Sequence, residues 1–311
     1  MGKIAFVFSG QGAQHPGMGR ALYEQNARVR ALFDAAEQYR PGTLAQCFDG
    51  DEQTLRQTEN TQPCLYLADL AAAIALQDCG VTPDAVAGFS LGEIPALAFA
   101  GAFSYEEGFA IACKRGRLMD AAAKVRPAGM LAVLRLDNSA VEQLCQSYAD
   151  VYPVNYNCKG QLVVAGAAEQ LESFTQAVKT AGGRAVPLAV GGGFHSPFMA
   201  QAAEQFGDYL RERAIGQPNI PVYSNYTAAP YDADVCGLLQ KQMCNPVRWE
   251  QTICNLAAAG FDRFVETGVG NVLQKLIARI CPEAVSLRAE TPQEIEQAAQ
   301  QLQQEKECSS C

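Results

Sequence analysis

Ser90 lies in Gly88-Phe-Ser-Leu-Gly92, directly after the short apolar run Asp84 to Gly88. That spacing suits a sharp strand-to-helix turn: glycines admit neighbouring backbone and the serine hydroxyl is raised at a helix N-terminus. A hydroxyl so placed can attack a carbonyl carbon, while amides at the helix start receive the negative charge that develops. The competing reading is a helix cap, because Ser90 and Glu93 also spell Ser-x-x-Glu. The strand before the serine and the helix after it favour the nucleophile.

A serine nucleophile needs a base, and the chain has 2 histidines. His15 sits in Gln14-His-Pro-Gly-Met, an N-terminal glycine-rich loop. His195 follows Gly191-Gly-Gly-Phe, a backbone stretch that must turn tightly or approach something closely. It falls where two parts of the chain meet, so His195 is the favoured base. Arg115, in Lys114-Arg-Gly-Arg117 on a helix whose neighbouring positions are apolar or small, offers a fork that suits a carboxylate. The alternative is that all three cations are solvated. In Ser9-Gly-Gln-Gly12, flanking glycines let the Gln11 amide face an oxyanion. Neither G-x-G-x-x-G nor GxxxxGK[ST] is present at this loop, which argues against a dinucleotide or ATP site.

The elements needed to position these residues are legible in the pattern. Lys3 to Phe8 reads as a buried strand, with helices expected over about 19–39, 61–79, 91–100 and 105–123. Strands alternating with such helices predict a largely parallel sheet covered on both faces. After Pro127 the order becomes strand, helix, hairpin at Lys159-Gly160, helix and strand, the pattern of a ferredoxin-like unit. Helix 198–214, strand Ile220 to Ser224, helices about 231–244 and 247–259, strand Phe261 to Glu266 and a helix from Asn271 complete the chain, with a loose tail. The expected domains are 1–124 with 196–311, and an inserted unit over 125–195.

Composition narrows the function classes. With 24 basic against 33 acidic residues, the net charge of -9 disfavours nucleic acid as a partner. The alanine-rich run near 66–76 is too short to span a bilayer, and the N-terminus lacks a signal-peptide pattern. The 12 cysteines are scattered, with CxxC spacing only at Cys308–Cys311, so a metal site is not expected and a reducing, cytoplasmic setting is.

The chain resembles malonyl-CoA:acyl carrier protein transacylases and the related acyltransferase domains of polyketide synthases. The likeness runs from Phe6 to about Ile280, on FVFSGQGAQ at 6–14, GFSLGEIPALAFAG at 88–101, KRGRLM at 114–119 and PVNYNCKGQLVVAG at 153–166. GGFHSPFM at 192–199, QMCNPVRW at 242–249 and ETGVGNVL at 266–273 continue it. The resemblance implies an α/β-hydrolase-like large domain carrying a small ferredoxin-like one, with the site between them. It assigns Ser90 as nucleophile, His195 as base, Arg115 to the malonyl carboxylate and the Gln242 carbonyl to histidine orientation. The amides of Gln11 and Leu91 would form the oxyanion site, and Phe89, Met119, Asn155, Phe194 and Met199 would line the pocket.

The activity implied is transfer of malonyl from coenzyme A to the phosphopantetheine thiol of an acyl carrier protein, by a monomer with no tightly bound cofactor. A thioester hydrolase, or transfer of another acyl group, is the alternative on the same scaffold. Several positions depart from the family pattern: Phe89 replaces the usual histidine, Ser9 and Val269 stand where proline is frequent, and Ile94-Pro95 also differ. Phe194 matches malonyl-selecting members, where it leaves little room for an α-methyl branch.

Overall fold

A computed structural model describes residues 2–232 and 234–308, with side chains through Gln304. The chain opens with β1 (Lys3–Phe8), α1 (Arg20–Gln25), α2 (Ala27–Tyr39), α3 (Thr43–Asp49), α4 (Glu52–Arg56) and α5 (Thr58–Asp78). β2 (Ala85–Gly88), α6 (Glu93–Phe99) and α7 (Tyr105–Val125) follow. Next come β3 (Ala128–Leu134), α8 (Asn138–Gln146), β4 (Val151–Cys158), β5 (Gln161–Ala167), α9 (Ala168–Thr180) and β6 (Arg184–Pro187). The remainder is α10 (Ala200–Arg211), β7 (Val222–Tyr223), α11 (Val235–Cys244), α12 (Trp249–Ala258), β8 (Phe261–Thr267), α13 (Val272–Ile280), β9 (Val285–Ala289) and α14 (Pro292–Cys308).

Two sheets result, one parallel and one antiparallel, in a mixed α/β fold. The first has the order β7-β2-β1-β8-β9, and its pairs are all parallel. β1 reads Ile-Ala-Phe-Val-Phe and is buried on both sides, as a central parallel strand must be. Its even positions Phe6 and Phe8 face the core built around α5, while Ala5 and Val7 face Trp249, Ile253 and Leu273 on the opposite side. The register pairs Phe8 with both Gly88 and Thr267. Three strands therefore end side by side, and the loops 9–12, 89–92 and 268–271 leave from one edge of the sheet.

The second sheet has the order β4-β5-β3-β6 and is antiparallel. Along β3, Leu131 and Val133 pack under α8 and α9, while Met130 and Ala132 turn toward the main core. This period of two lets one strand serve two cores. The edge strand β4 is gripped by the segment after α11: Val247 N donates to Val154 O at 2.8 Å and Tyr156 N to Val247 O at 2.9 Å.

Some expected elements differ. The helix over 19–39 breaks at Asn26, whose extended backbone (φ -116°, ψ 120°) and side-chain oxygen cap α2 by accepting from Arg28 N and Val29 N. The helix expected from 231 begins at Val235, capped by Asp234. α3, α4 and β9 were not legible, and α14 carries the chain in helix to Cys308. The Cys308–Cys311 spacing reaches outside the described residues; the cysteines from Cys47 to Cys281 are free thiols. Among the described residues no helix is long and apolar enough to cross a membrane.

Candidate active site

The turn that carries Ser90 is built by its glycines. A Cβ on Gly88 would fall 1.9 Å from the Gly92 carbonyl carbon, and one on Gly92 would fall 2.2 Å from Phe8 O. Neither position admits a side chain without opening the turn. Ser90 itself has φ 55°, a left-handed conformation that costs free energy in a non-glycine residue. Asn225 holds it there: Asn225 Oδ1 accepts from Ser90 N at 2.7 Å and Nδ2 donates to Gly88 O at 2.6 Å. The capping-box alternative fails, because the Ser90 side chain caps nothing and Glu93 turns inward, fully buried.

The Ser90 hydroxyl instead meets His195, with 2.7 Å between Oγ and Nε2. His195 Nδ1 lies 2.8 Å from the Gln242 carbonyl oxygen. An acceptor there leaves Nδ1 as the protonated nitrogen and Nε2 free to accept from the serine. Burial pushes the His195 pKa down to about 3, aided by the nearby Arg115 charge and opposed by the Gln242 carbonyl. The resting imidazole is thus neutral, the state a general base requires. His15 is not part of this arrangement; it lies on an exposed loop with Nε2 2.5 Å from Glu290 Oε1.

Arg115 is 1% exposed, which rules out the solvated-surface reading for this cation while leaving it for the exposed Arg117. Its Nη2 donates to Gln242 Oε1 at 2.9 Å and to Ser90 Oγ at 3.2 Å. The Nε, also buried, has no hydrogen-bond partner among the described residues. Burial lowers the Arg115 pKa to about 10, against the pull of Glu93. It remains charged at neutral pH, with donor capacity to spare. Glu93 goes the other way, pushed up to about 7 by burial despite bonds from Tyr231, Gln242 and the Asn225 amide.

The segments that carry the two expected oxyanion amides approach closely. A Cβ on Gly10 would lie 2.7 Å from Phe89 O, so the loop bearing Gln11 packs against the turn bearing Leu91. Among the described residues neither the Gln11 nor the Leu91 amide donates to a protein acceptor. Ser9 Oγ donates to the buried Asp69 at 2.7 Å and ties this loop to α5. Met119 follows Arg115 by one turn on α7, and with Phe194 and Met199 it is buried in the main core. Phe89 and Asn155 sit elsewhere, lining with Gln11 a cleft of about 210 Å³. Phe89 stacks edge-on against Trp249, centroids 5.5 Å apart.

Asn225, Glu93 and Tyr231 were not expected as site residues. Glu93 carried a signal, a single carboxylate in the otherwise apolar helix EIPALAF. Asn225 lies 135 residues from Ser90, and no local pattern marks it. Among the described residues no group of acids, histidines and cysteines could hold a metal.

The sequence pattern of the acyl transferase domain family matches residues 5–300. The malonyl CoA-acyl carrier protein transacylase of Bacillus subtilis (strain 168) is 37% identical over 98% of this chain and 99% of its own. A polyketide biosynthesis malonyl CoA-acyl carrier protein transacylase from the same strain is 35% identical over 91% of this chain and 99% of its own. Among solved structures, the malonyl CoA-acyl carrier protein transacylase of Clostridium perfringens superposes with a TM-score of 0.95 at 31% identity, covering 99% of this chain and 100% of that one. A malonyl-transacylase solved in complex with its type II polyketide synthase acyl-carrier protein gives 0.92 at 32%, covering 96% and 99%.

Proposed function

The chain belongs to the acyl transferase domain family, and from that membership we propose that it is a malonyl-CoA:acyl carrier protein S-malonyltransferase. The observation that carries the reading is the meeting of Ser90 Oγ, His195 Nε2 and Arg115 Nη2 within hydrogen-bond reach in one buried space. In the proposed mechanism His195 takes the Ser90 proton as Oγ attacks the thioester carbonyl of malonyl-CoA. The amides of Gln11 and Leu91 receive the oxyanion. As the tetrahedral intermediate collapses, the C–S bond breaks, coenzyme A leaves with the proton from His195, and a malonyl ester remains on Ser90. The phosphopantetheine thiol of the carrier protein then gives its proton to His195 and attacks the ester; the C–O bond to Ser90 breaks, and His195 passes the proton to the departing serine oxygen.

Arg115 is proposed to hold the malonyl carboxylate, which supplies acceptors for its uncommitted donors. Pairing also offsets the cation that depresses His195, so bound malonate raises the basicity of the imidazole. Met119, Phe194 and Met199 are proposed to shape the acyl pocket, and Phe89 with Asn155 the approach to it. For the fold, the strand order and helix placement support an α/β-hydrolase-like domain over 1–124 and 196–311 with a ferredoxin-like insertion over 125–195. The proposed working form is a monomer, with no nucleic acid or membrane partner. Intact-mass analysis tests the function: malonyl-CoA should add one malonyl group, lost in Ser90→Ala, and a phosphopantetheinylated carrier should discharge it. An unmodified enzyme, or discharge only to water, would overturn the assignment.

A further inference from the structure

Glu93 is 0% exposed and belongs to no step of the mechanism above. Its Oε2 accepts from Gln242 Nε2 at 2.8 Å and from Asn225 N at 3.3 Å, and its Oε1 receives the Tyr231 hydroxyl. The same Gln242 amide turns its oxygen to Arg115 Nη2 at 2.9 Å. One amide therefore stands between a buried carboxyl and a buried guanidinium, its N–H toward the carboxyl and its C=O toward the cation. The orientation is fixed from both ends, and ionised Glu93 is the counter-charge nearest in the network to Arg115.

We propose that Glu93 is a specificity-determining residue that shares Arg115 with the substrate carboxylate, so that capture of a malonyl group is linked to uptake of a proton by Glu93 from solvent. This rests on the acyl-transfer reading above. In the empty site one cation faces one anion. A malonyl carboxylate on Arg115 adds a second anion beside the buried guanidinium, and in such surroundings like charges resist joint ionisation. The carboxyl in direct contact with the guanidinium keeps its charge, and Glu93, one amide removed, takes the proton. Its surroundings favour this outcome, since burial already holds it at about 7. The other ionisable groups that face it are Tyr231, whose hydroxyl burial keeps neutral, and Arg115 itself; His195, on the far side of Arg115, is neutral as well.

The consequence is a malonyl preference that strengthens as pH falls through the Glu93 range, whereas an uncharged acyl group is indifferent. The test is the rate of Ser90 acylation at subsaturating malonyl-CoA and acetyl-CoA, read by quenched-flow intact mass. Because both donors share coenzyme A, its own titration cancels in their ratio. From about pH 6 to about pH 8.5 the malonyl-to-acetyl ratio should fall on the order of tenfold. Glu93→Gln keeps an acceptor oxygen for Gln242 and Asn225 but has no charge, and its ratio should be flat with pH. Tyr231→Phe removes a donor that favours ionised Glu93, so its transition should move to higher pH, and it decides the matter if the first variant does not fold. A flat wild-type ratio, an unchanged transition in Glu93→Gln, or an unmoved one in Tyr231→Phe would overturn the linkage. A serine that takes no malonyl at all would instead sink the transferase reading.

Discussion

Asn225, just past the neighbouring strand β7, grips Ser90, accepting the serine amide at 2.7 Å while bonding the Gly88 carbonyl on the other side of Phe89 at 2.6 Å. Ser90 thus keeps its left-handed backbone because a residue 135 positions away holds both sides of the turn. It also commits the Ser90 amide, which is why the oxyanion role is proposed for the next amide, at Leu91. Asn225→Ala removes both bonds inside a dry turn, at about 1–3 kcal/mol for each group left unsatisfied. Urea denaturation should show a loss of at least about 2 kcal/mol, and kcat should fall more than KM rises.

Arg115→Ala should cost malonyl transfer far more than acetyl transfer. Truncating one partner of a buried charge pair costs about 2–5 kcal/mol, roughly 30- to 5,000-fold in kcat/KM. Parallel assays with the two thioesters check this, and equal losses would contradict the carboxylate role.

Gly92→Ala should fail to form the turn, since its new methyl would meet Phe8 O at 2.2 Å. Main-chain atoms of a central strand cannot step aside. Circular dichroism and thermal melting should report a Tm drop well beyond that of an alanine placed on an exposed helix face.

With acetyl-CoA, where Glu93 linkage plays no part, kcat/KM should show no acid limb near the ordinary histidine range. His195 is held near 3, so the base stays neutral until far lower pH. A limb close to 6.5 would mean that the free enzyme opens the imidazole to water.

Stability should carry the sign of Glu93. Its folded pKa, about 7, is raised above the unfolded value near 4.5, so the neutral form is the favoured one when folded. That contribution is full below about pH 4.5 and is lost as pH rises through 7. Relative to Glu93→Gln, the wild type should lose on the order of 2–3 kcal/mol between those limits, measured by chemical denaturation across pH.

Local chemistry was legible where local geometry makes it. The serine turn, the strand before it and the helix after it follow from glycine spacing and apolar runs, and the period of two along β3 marks the small sheet. The split at Asn26 was missed because a helical pattern continues across it, and the break is made by one side chain turning back. α3 and α4 are too short for periodicity to show. Asn225 and Tyr231 were invisible for a different reason. They act through contacts with residues more than 130 positions away, which only the packed sheet brings together.

The imidazole of His195 meets a peptide oxygen, that of Gln242, where many serine enzymes place an acid. Every replacement at position 242 except one that bends the backbone leaves that oxygen in place. Side-chain scanning would therefore record the amide's dealings with Arg115 and pass over the part that steers the base. The peptide oxygen that meets His195 would outlast a change of residue type at 242, whereas the amide that bridges Glu93 and Arg115 would not.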